Sequence, residues 1–422
     1  MRVDTVASRL RAMTPAILRG ESRGWSYFDG PSGTQMIAPA IDAIAEVCRS
    51  GLSNRHGYSS AGDETEDVMA NARSELRSMF RADGYDVVFG QNMTSLTIAL
   101  AHGCARRWGR EGGTVVVTEL EHAANDDTWT VPFADRGAKT VVVGVDEQTL
   151  DLDHDGFERV DAAGGVAVVA VSGAANSVGV KPDLGPAHAF ARSHGAVFVI
   201  DGVHLTPHGP LDLAEADPDV YLCSAYKFYG PHVGVALVKK SLADELRPYK
   251  VEPAPDRGPE KFETGSQNHE GIAGLAATLC GLGRLVGSGT GAGAREALHL
   301  LAEHEAELTR SLVDELAEMN GVRVFGHRDE KTTYLGTVAI AVEGRDPGDV
   351  ARDLRAQGMF VTAGDFYATR LARRLGVAGT GGWVRIGVSG YTTQDDIARL
   401  VAALKRVIGT SVGRSSPSAP SG

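Results

Sequence analysis

Ala196-Val-Phe-Val-Ile-Asp201-Gly-Val-His204 and Ser224-Ala-Tyr-Lys227-Phe-Tyr-Gly-Pro-His-Val-Gly234 are the stretches that decide the fold. Each closes an unbroken apolar run, at 196–200 and 220–223, with a polar, glycine-containing turn. Five further runs of this kind lie at 87–90, 114–119, 140–145, 166–172 and 233–238, rich in Val and bounded by Gly, Asp or Ser. Strands that are apolar throughout belong to sheets covered on both faces. Their alternation with helical or turn-rich stretches predicts an α/β fold with a mostly parallel, seven-stranded sheet. Ligands of such sheets bind beyond the carboxyl ends of the strands, so the polar residues that follow each run are the first candidates for chemistry.

Asp201 and Lys227 follow the fifth and sixth runs and are 26 residues apart, about one β-α-β step. Both side chains should then emerge at one sheet edge. An acid and a lysine so placed meet the needs of pyridoxal 5'-phosphate (PLP): the amine forms a Schiff base, and the carboxylate keeps the pyridine nitrogen protonated so that the ring accepts electrons. The same two residues also suit two solvated strand ends.

Other pieces converge on the same edge. Gln91-Asn-Met93-Thr94-Ser95 follows the first run and opens a helix, where backbone N–H groups and a hydroxyl suit a phosphate as well as an ordinary cap. His122, after the second run, can stack on a planar cofactor or be structural. Asn176 follows the fourth run and can donate to a cofactor oxygen. Thr264-Gly-Ser266-Gln-Asn268 is a small polar turn. Arg385, inside the apolar Trp383-Val-Arg-Ile-Gly, calls for an anion, either a substrate carboxylate or a structural partner.

Composition bounds the rest. The 422 residues suggest two domains, and 43% hydrophobic with 23% charged residues is a globular balance. No apolar run approaches the ~20 residues of a membrane helix. A net charge of −12 argues against nucleic acid as a partner. The four cysteines (Cys48, Cys104, Cys223, Cys280) form no metal or disulfide pattern, which suits a reducing cytoplasm. Arg9, Arg11 and Arg19 give the N-terminus some transit-peptide character, but Asp4 and Glu21 interrupt it, so residues 1–26 read as an amphipathic helical segment packing on the small domain. The large domain is expected over 27–286. The glycine-rich 287–293 reads as a flexible connection, without the preceding strand that a dinucleotide loop requires. A smaller α+β domain follows over 294–408, with a helix at 294–319, strands at 322–325, 337–342 and 384–388, and helices at 349–356 and 395–408. Thr393 and Asp396 form a capping pattern before the last helix. The Ser/Pro/Gly-rich 409–422 reads as a disordered tail.

In this order the motifs resemble the cysteine desulfurase-like branch of the class V aminotransferase family, which has PLP-dependent transferase fold type I. The similarity runs from about Tyr27 to Ile408. Tyr27-Phe-Asp-Gly-Pro-Ser-Gly33 resembles the family's N-terminal substrate loop, and Asn54-Arg-His56-Gly its second loop. The resemblance implies Met93 and Thr94 at the phosphate, His122 on the cofactor ring, Asn176 at its oxygen and Asp201 at its pyridine nitrogen, with His204 three residues on. It implies Ser224, Tyr226 and Lys227 in the family's Ser-x-His-Lys motif, Tyr226 replacing the histidine. Ser266 would reach the phosphate of a neighbouring subunit in a homodimer, and Arg385 would bind the carboxylate of an amino-acid substrate, with Gly33, His56 and Tyr367 nearby.

One departure bears on the reaction. A desulfurase carries a nucleophilic cysteine in a loop before the last strands, and the matching stretch here is Val361-Thr-Ala-Gly364-Asp-Phe-Tyr367-Ala368. Tyr367 stands about where the thiol belongs, and no cysteine follows Cys280 in this sequence. A phenol cannot accept sulfur as a persulfide, which needs a thiolate. The expectation is a β-eliminating lyase acting on a sulfur-containing or similar amino acid. Transamination, epimerisation and a non-catalytic PLP-binding protein are the alternatives. A Rossmann oxidoreductase is disfavoured because no Gly-x-Gly-x-x-Gly follows the first strand.

Overall fold

The computed structural model describes residues 3–55, 57–326 and 335–409. All seven apolar runs become strands of one sheet: β1 (Tyr85–Gly90), β2 (Thr114–Thr118), β3 (Lys139–Val143), β4 (Val166–Ser172), β5 (Val197–Asp201), β6 (Val220–Ser224) and β7 (Gly234–Lys239). Their spatial order is β1-β7-β6-β5-β4-β2-β3. Only β7 runs antiparallel to its neighbours; every other pairing is parallel. The strands are continuously apolar because both faces are covered. In β5, Phe198 and Ile200 enter one core while Val197 and Val199 enter the core on the opposite face. β4 divides likewise, with Val169 and Val171 on one side and Val168 and Ala170 on the other. Each such Val, Ile or Phe side chain contributes about 1.5–3 kcal/mol of burial.

A second sheet is wholly antiparallel: β8 (Val322–Phe325), β9 (Thr337–Val342), β10 (Thr362–Gly364) and β11 (Trp383–Gly387), in the order β10-β11-β9-β8. The expected capping pattern is present. Asp396 accepts from the N–H and hydroxyl of Thr393 at 3.0 and 2.8 Å, and Thr393 Oγ1 accepts from Asp396 N–H at 3.1 Å. The helix it opens runs over Gln394–Gly409. Residues 410–422, most of the expected disordered tail, lie outside the described residues.

The expectation of a flexible connection at 287–293 is corrected. A helix, α3 once α1 (Met93–Trp108) and α2 (Ala123–Ala134) are counted, starts within it and spans Gly291–Ala317. A Cβ at Gly291 would lie 1.9 Å from the Glu75 carbonyl oxygen, so the glycine serves close helix contact rather than flexibility. Along α3, Leu298 and Leu301 enter a core of the large sheet, and Leu308, Leu312 and Leu316 enter the core of the small one. At the N-terminus a helix, Val3–Ala12, buries Val6, Ala7 and Leu10. Arg11 donates to the Tyr391 carbonyl and Asp396 at 2.8 and 3.1 Å, tying this segment to the small domain. Among the described residues no helix is long and apolar enough to cross a membrane.

Candidate active site

The carboxyl ends of β4, β5 and β6 open into a cavity of about 390 Å³, within the roughly 300–1,000 Å³ of small-molecule sites. It gathers Met93, Thr94, His122, Asn176, Asp201, His204, Ser224, Tyr226 and Lys227 from the sequence expectations. Parallel register explains the convergence, since Ser172 of β4 pairs with Asp201 of β5, which pairs with Leu222 of β6.

Lys227 Nζ donates to the carbonyls of Pro31 and Ser32. Burial, and then the Arg385 charge, lower its pKa to about 7, against the opposing pull of Asp29 and Asp201. Asp201 is raised to about 6, chiefly by burial, although it accepts the Val203 N–H at 2.9 Å. His122 caps α2 by accepting the Ala124 N–H on Nδ1 at 2.9 Å. That acceptor role leaves the proton of the neutral ring on Nε2. Burial, with Lys227 and Arg385 nearby, lowers its pKa to about 4, so the ring is uncharged at neutral pH.

Glu121 braces the turn that carries His122. Its carboxylate accepts from Thr118 Oγ1 (2.6 Å), Asn125 Nδ2 (2.6 Å), the Ser172 N–H (3.0 Å) and Ser172 Oγ (2.8 Å). Burial nonetheless raises its pKa to about 7. His204 Nε2 meets Thr337 Oγ1 at 3.1 Å, and its ring stands edge-on to His208. Ser224 Oγ accepts the Met93 N–H at 3.0 Å and so fixes the start of α1 against β6. Tyr226 stacks on His232, with centroids 4.6 Å apart. A Cβ at Gly33 would come 3.1 Å from the Tyr226 ring, so the glycine allows this loop to lie against it.

Arg385 is 2% exposed. Nη2 donates to Ser32 Oγ at 2.6 Å and to Asp29 at 3.3 Å, and Nη1 donates to the Asn176 carbonyl at 3.2 Å. Its Nε is buried without a partner among the described residues. Burial lowers its pKa to about 10, against the pull of its ion-pair partner Asp29.

Gly33, Arg385 and Tyr367 do not line the cavity themselves but touch its lining residues Tyr226, Ser32 and His122. Ser266 is not brought there and lines a separate cleft with Asn54, Arg55 and Glu260; the expected His56 lies outside the described residues. Tyr367 lies over His122, ring centroids 5.2 Å apart, and is 68% exposed. Sequence reasoning quoted Asp29 and Ser32 within a motif without giving them a role, and gave none to Phe366. Their contacts cross 353–356 residues for the Asp29 and Ser32 bonds to Arg385, which no local pattern reveals. The one available signal was a buried arginine that needed a carboxylate.

The donor set fits PLP. The cavity offers an amine partly neutral near pH 7, a buried carboxylate with one hydrogen bond among the described residues, an uncharged flat ring and a helix start. An α/β fold with these groups at the strand ends defines the class of a PLP-dependent enzyme. The chain belongs to the aminotransferase class-V family, whose profile matches residues 26–400, and the cofactor of that family is PLP.

The relatives share most of their length with this chain. A probable cysteine desulfurase of Pseudomonas putida is 29% identical over 412 residues, covering 93% of this chain and 96% of that protein. A cysteine desulfurase of Salmonella agona is 26% identical over 421 residues, covering 94% and 97%. The crystal structure of a cysteine desulfurase from Escherichia coli superposes with a TM-score of 0.82 at 25% identity, covering 96% of this chain and 98% of that one. The apo structure of a cysteine desulfurase from Thermococcus onnurineus shares the fold, with a TM-score of 0.84 at 22% identity, covering 95% and 98%.

Proposed function

We propose that this chain is a lyase that eliminates a sulfur-containing or similar substituent from Cβ of an amino acid. The observation that carries this reading is that Lys227 and Arg385 meet at Ser32 on the cavity wall, Lys227 at its carbonyl and Arg385 at its hydroxyl, beside a loop that bears Tyr367 where the family resemblance implies a cysteine. Lys227 would hold the cofactor covalently, Asp201 its ring nitrogen, His122 its face, and Met93, Thr94, Ser224 and Tyr226 its phosphate end, with Asn176 and His204 at its ring oxygen. Bound there, PLP draws electrons from the substrate's Cα and weakens the bonds around it.

The residues of the chain divide the remaining work. Arg385, paired with Asp29 through Nη2 and left with an unpartnered Nε among the described residues, takes the substrate carboxylate. The Lys227 amine, lowered to about 7, is available near neutrality to take the Cα proton. Without a thiol on the loop, the departing sulfur leaves as a free thiol or hydrosulfide. By the family resemblance Ser266, at its separate cleft, would reach the phosphate site of a second copy in a homodimer, and the scattered cysteines suit a cytoplasmic enzyme.

The test is a panel of amino acids with product analysis. Pyruvate with an equal amount of released thiol is expected from S-substituted cysteines. Transfer of the amino group to an added oxo acid, or racemisation without release, would replace elimination with another reaction. Persulfide on the protein would overturn the reading of Tyr367.

A further inference from the structure

Phe366 and Tyr367 are consecutive, and both occupy the left-handed region, at φ 53 and 60. Bulky residues seldom do so, and each costs about 1–3 kcal/mol unless its surroundings impose it. Here the surroundings do. The Phe366 carbonyl accepts from Asn176 Nδ2 at 3.2 Å, the Tyr367 carbonyl accepts from the Ala123 N–H at 2.9 Å, and the Tyr367 N–H donates to Asp365 at 3.1 Å. The result is a two-ring roof. Phe366 lies over the Arg385 guanidinium, with Cζ 3.8 Å from the ring centroid, and Tyr367 lies against His122.

We propose that Phe366 determines substrate specificity by covering Arg385, so that the site selects amino acids with apolar or thioether side chains over those bearing a second charge. This rests on the reading of Arg385 as the carboxylate site. An aromatic face on the guanidinium excludes water from that face, so a carboxylate meets it in the plane, at the unpartnered Nε and in exchange for the Ser32 and Asp29 bonds of Nη2. The same ring offers a sulfur or alkyl group a soft contact and offers a charged side chain no hydrogen bond. The left-handed backbone sets Phe366 on Arg385 and the largely exposed Tyr367 against His122 from one short segment.

Calorimetric titration of the holoenzyme with L-methionine and L-aspartate, neither of which carries a sulfur leaving group at Cβ, tests this. Methionine should bind about tenfold more tightly, the upper range of one desolvated sulfur–aromatic contact. Phe366→Asn keeps a residue that tolerates the left-handed backbone but removes the ring, and should reduce that preference to below about threefold. It should also speed phenylglyoxal modification of Arg385 by about tenfold. Phe366→Tyr keeps the ring and should keep both properties. Equal affinity for the two ligands, binding of neither, or an unchanged preference in Phe366→Asn would overturn the proposal. Loss of elimination with the preference intact would sink only the reading of the reaction.

Discussion

The phenol of Tyr229, two residues beyond Lys227, accepts the backbone N–H of Gly390 at 3.0 Å, and so joins the lysine's loop to the segment that follows Arg385's strand. Its hydroxyl faces Glu305 of α3 at 3.4 Å. Glu305 in turn meets His208, whose ring stands against His204. Tyr229 is fully buried and at φ 70, another left-handed non-glycine residue held by its contacts. Tyr229→Phe removes the oxygen and leaves a buried N–H and a carboxylate oxygen short of a partner. It should cost about 1–3 kcal/mol in denaturant unfolding, and an unchanged midpoint would show that this link is not holding the two segments.

Lys227→Ala should abolish covalent capture of the cofactor. Borohydride reduction and peptide mapping should place a pyridoxyl group on Lys227 in the parent and on no residue in the variant. Turnover should fall by at least about 100-fold, the lower range for loss of a general base. Label on another lysine in the parent would refute the assignment.

The pH dependence of cofactor capture follows from the Lys227 environment. The reactive form is the neutral amine, and burial with Arg385 brings its pKa to about 7. The capture rate should therefore rise with pH and reach half its plateau near 7, not near the ordinary lysine value of 10.5. Arg385→Gln removes a neighbouring positive charge and should move that midpoint upward. Stopped-flow absorbance of PLP mixed with cofactor-free protein reads both, and a midpoint unmoved by Arg385→Gln would contradict the coupling.

Arg385→Gln should also weaken amino-acid binding. Loss of charge-assisted hydrogen bonds to a carboxylate is worth about 1.5–3 kcal/mol, roughly a 10- to 150-fold rise in the apparent dissociation constant. Arg385→Lys should rescue little, because an ammonium lacks the planar fork and cannot lie under the Phe366 ring as a guanidinium does. Full rescue by lysine would mean that the site reads charge alone.

The large sheet was legible because its strands are buried on both faces, as the division of Phe198 and Val199 between two cores shows. The 166–172 run matched β4 residue for residue. Edges were less clear: β3 begins at Lys139, an exposed residue on an edge strand, where no apolar signal marks the start. The antiparallel insertion of β7 between β1 and β6 leaves no trace in composition. Lys227, Asp201 and His122 were readable from their places after strands. Asp29 and Ser32 were not, because their meaning lies in Arg385 at the other end of the chain. The roof at Phe366 and Tyr367 depends on backbone torsion, and neither residue type announces a positive φ. Gly291 misled for the opposite reason: glycine marks both looseness and close contact, and only Glu75 beside it decides between them.

The 27 residues of α3 form a rod about 40 Å long, one end set in each core. A rod anchored in this way resists swinging one half of the molecule away from the other, since rotation would pull its leucines from one core or the other. Any opening of the cavity therefore falls to small, local displacements, and the left-handed backbone of Phe366 and Tyr367, beside Arg385 and His122, is a place where a small change of torsion moves a ring.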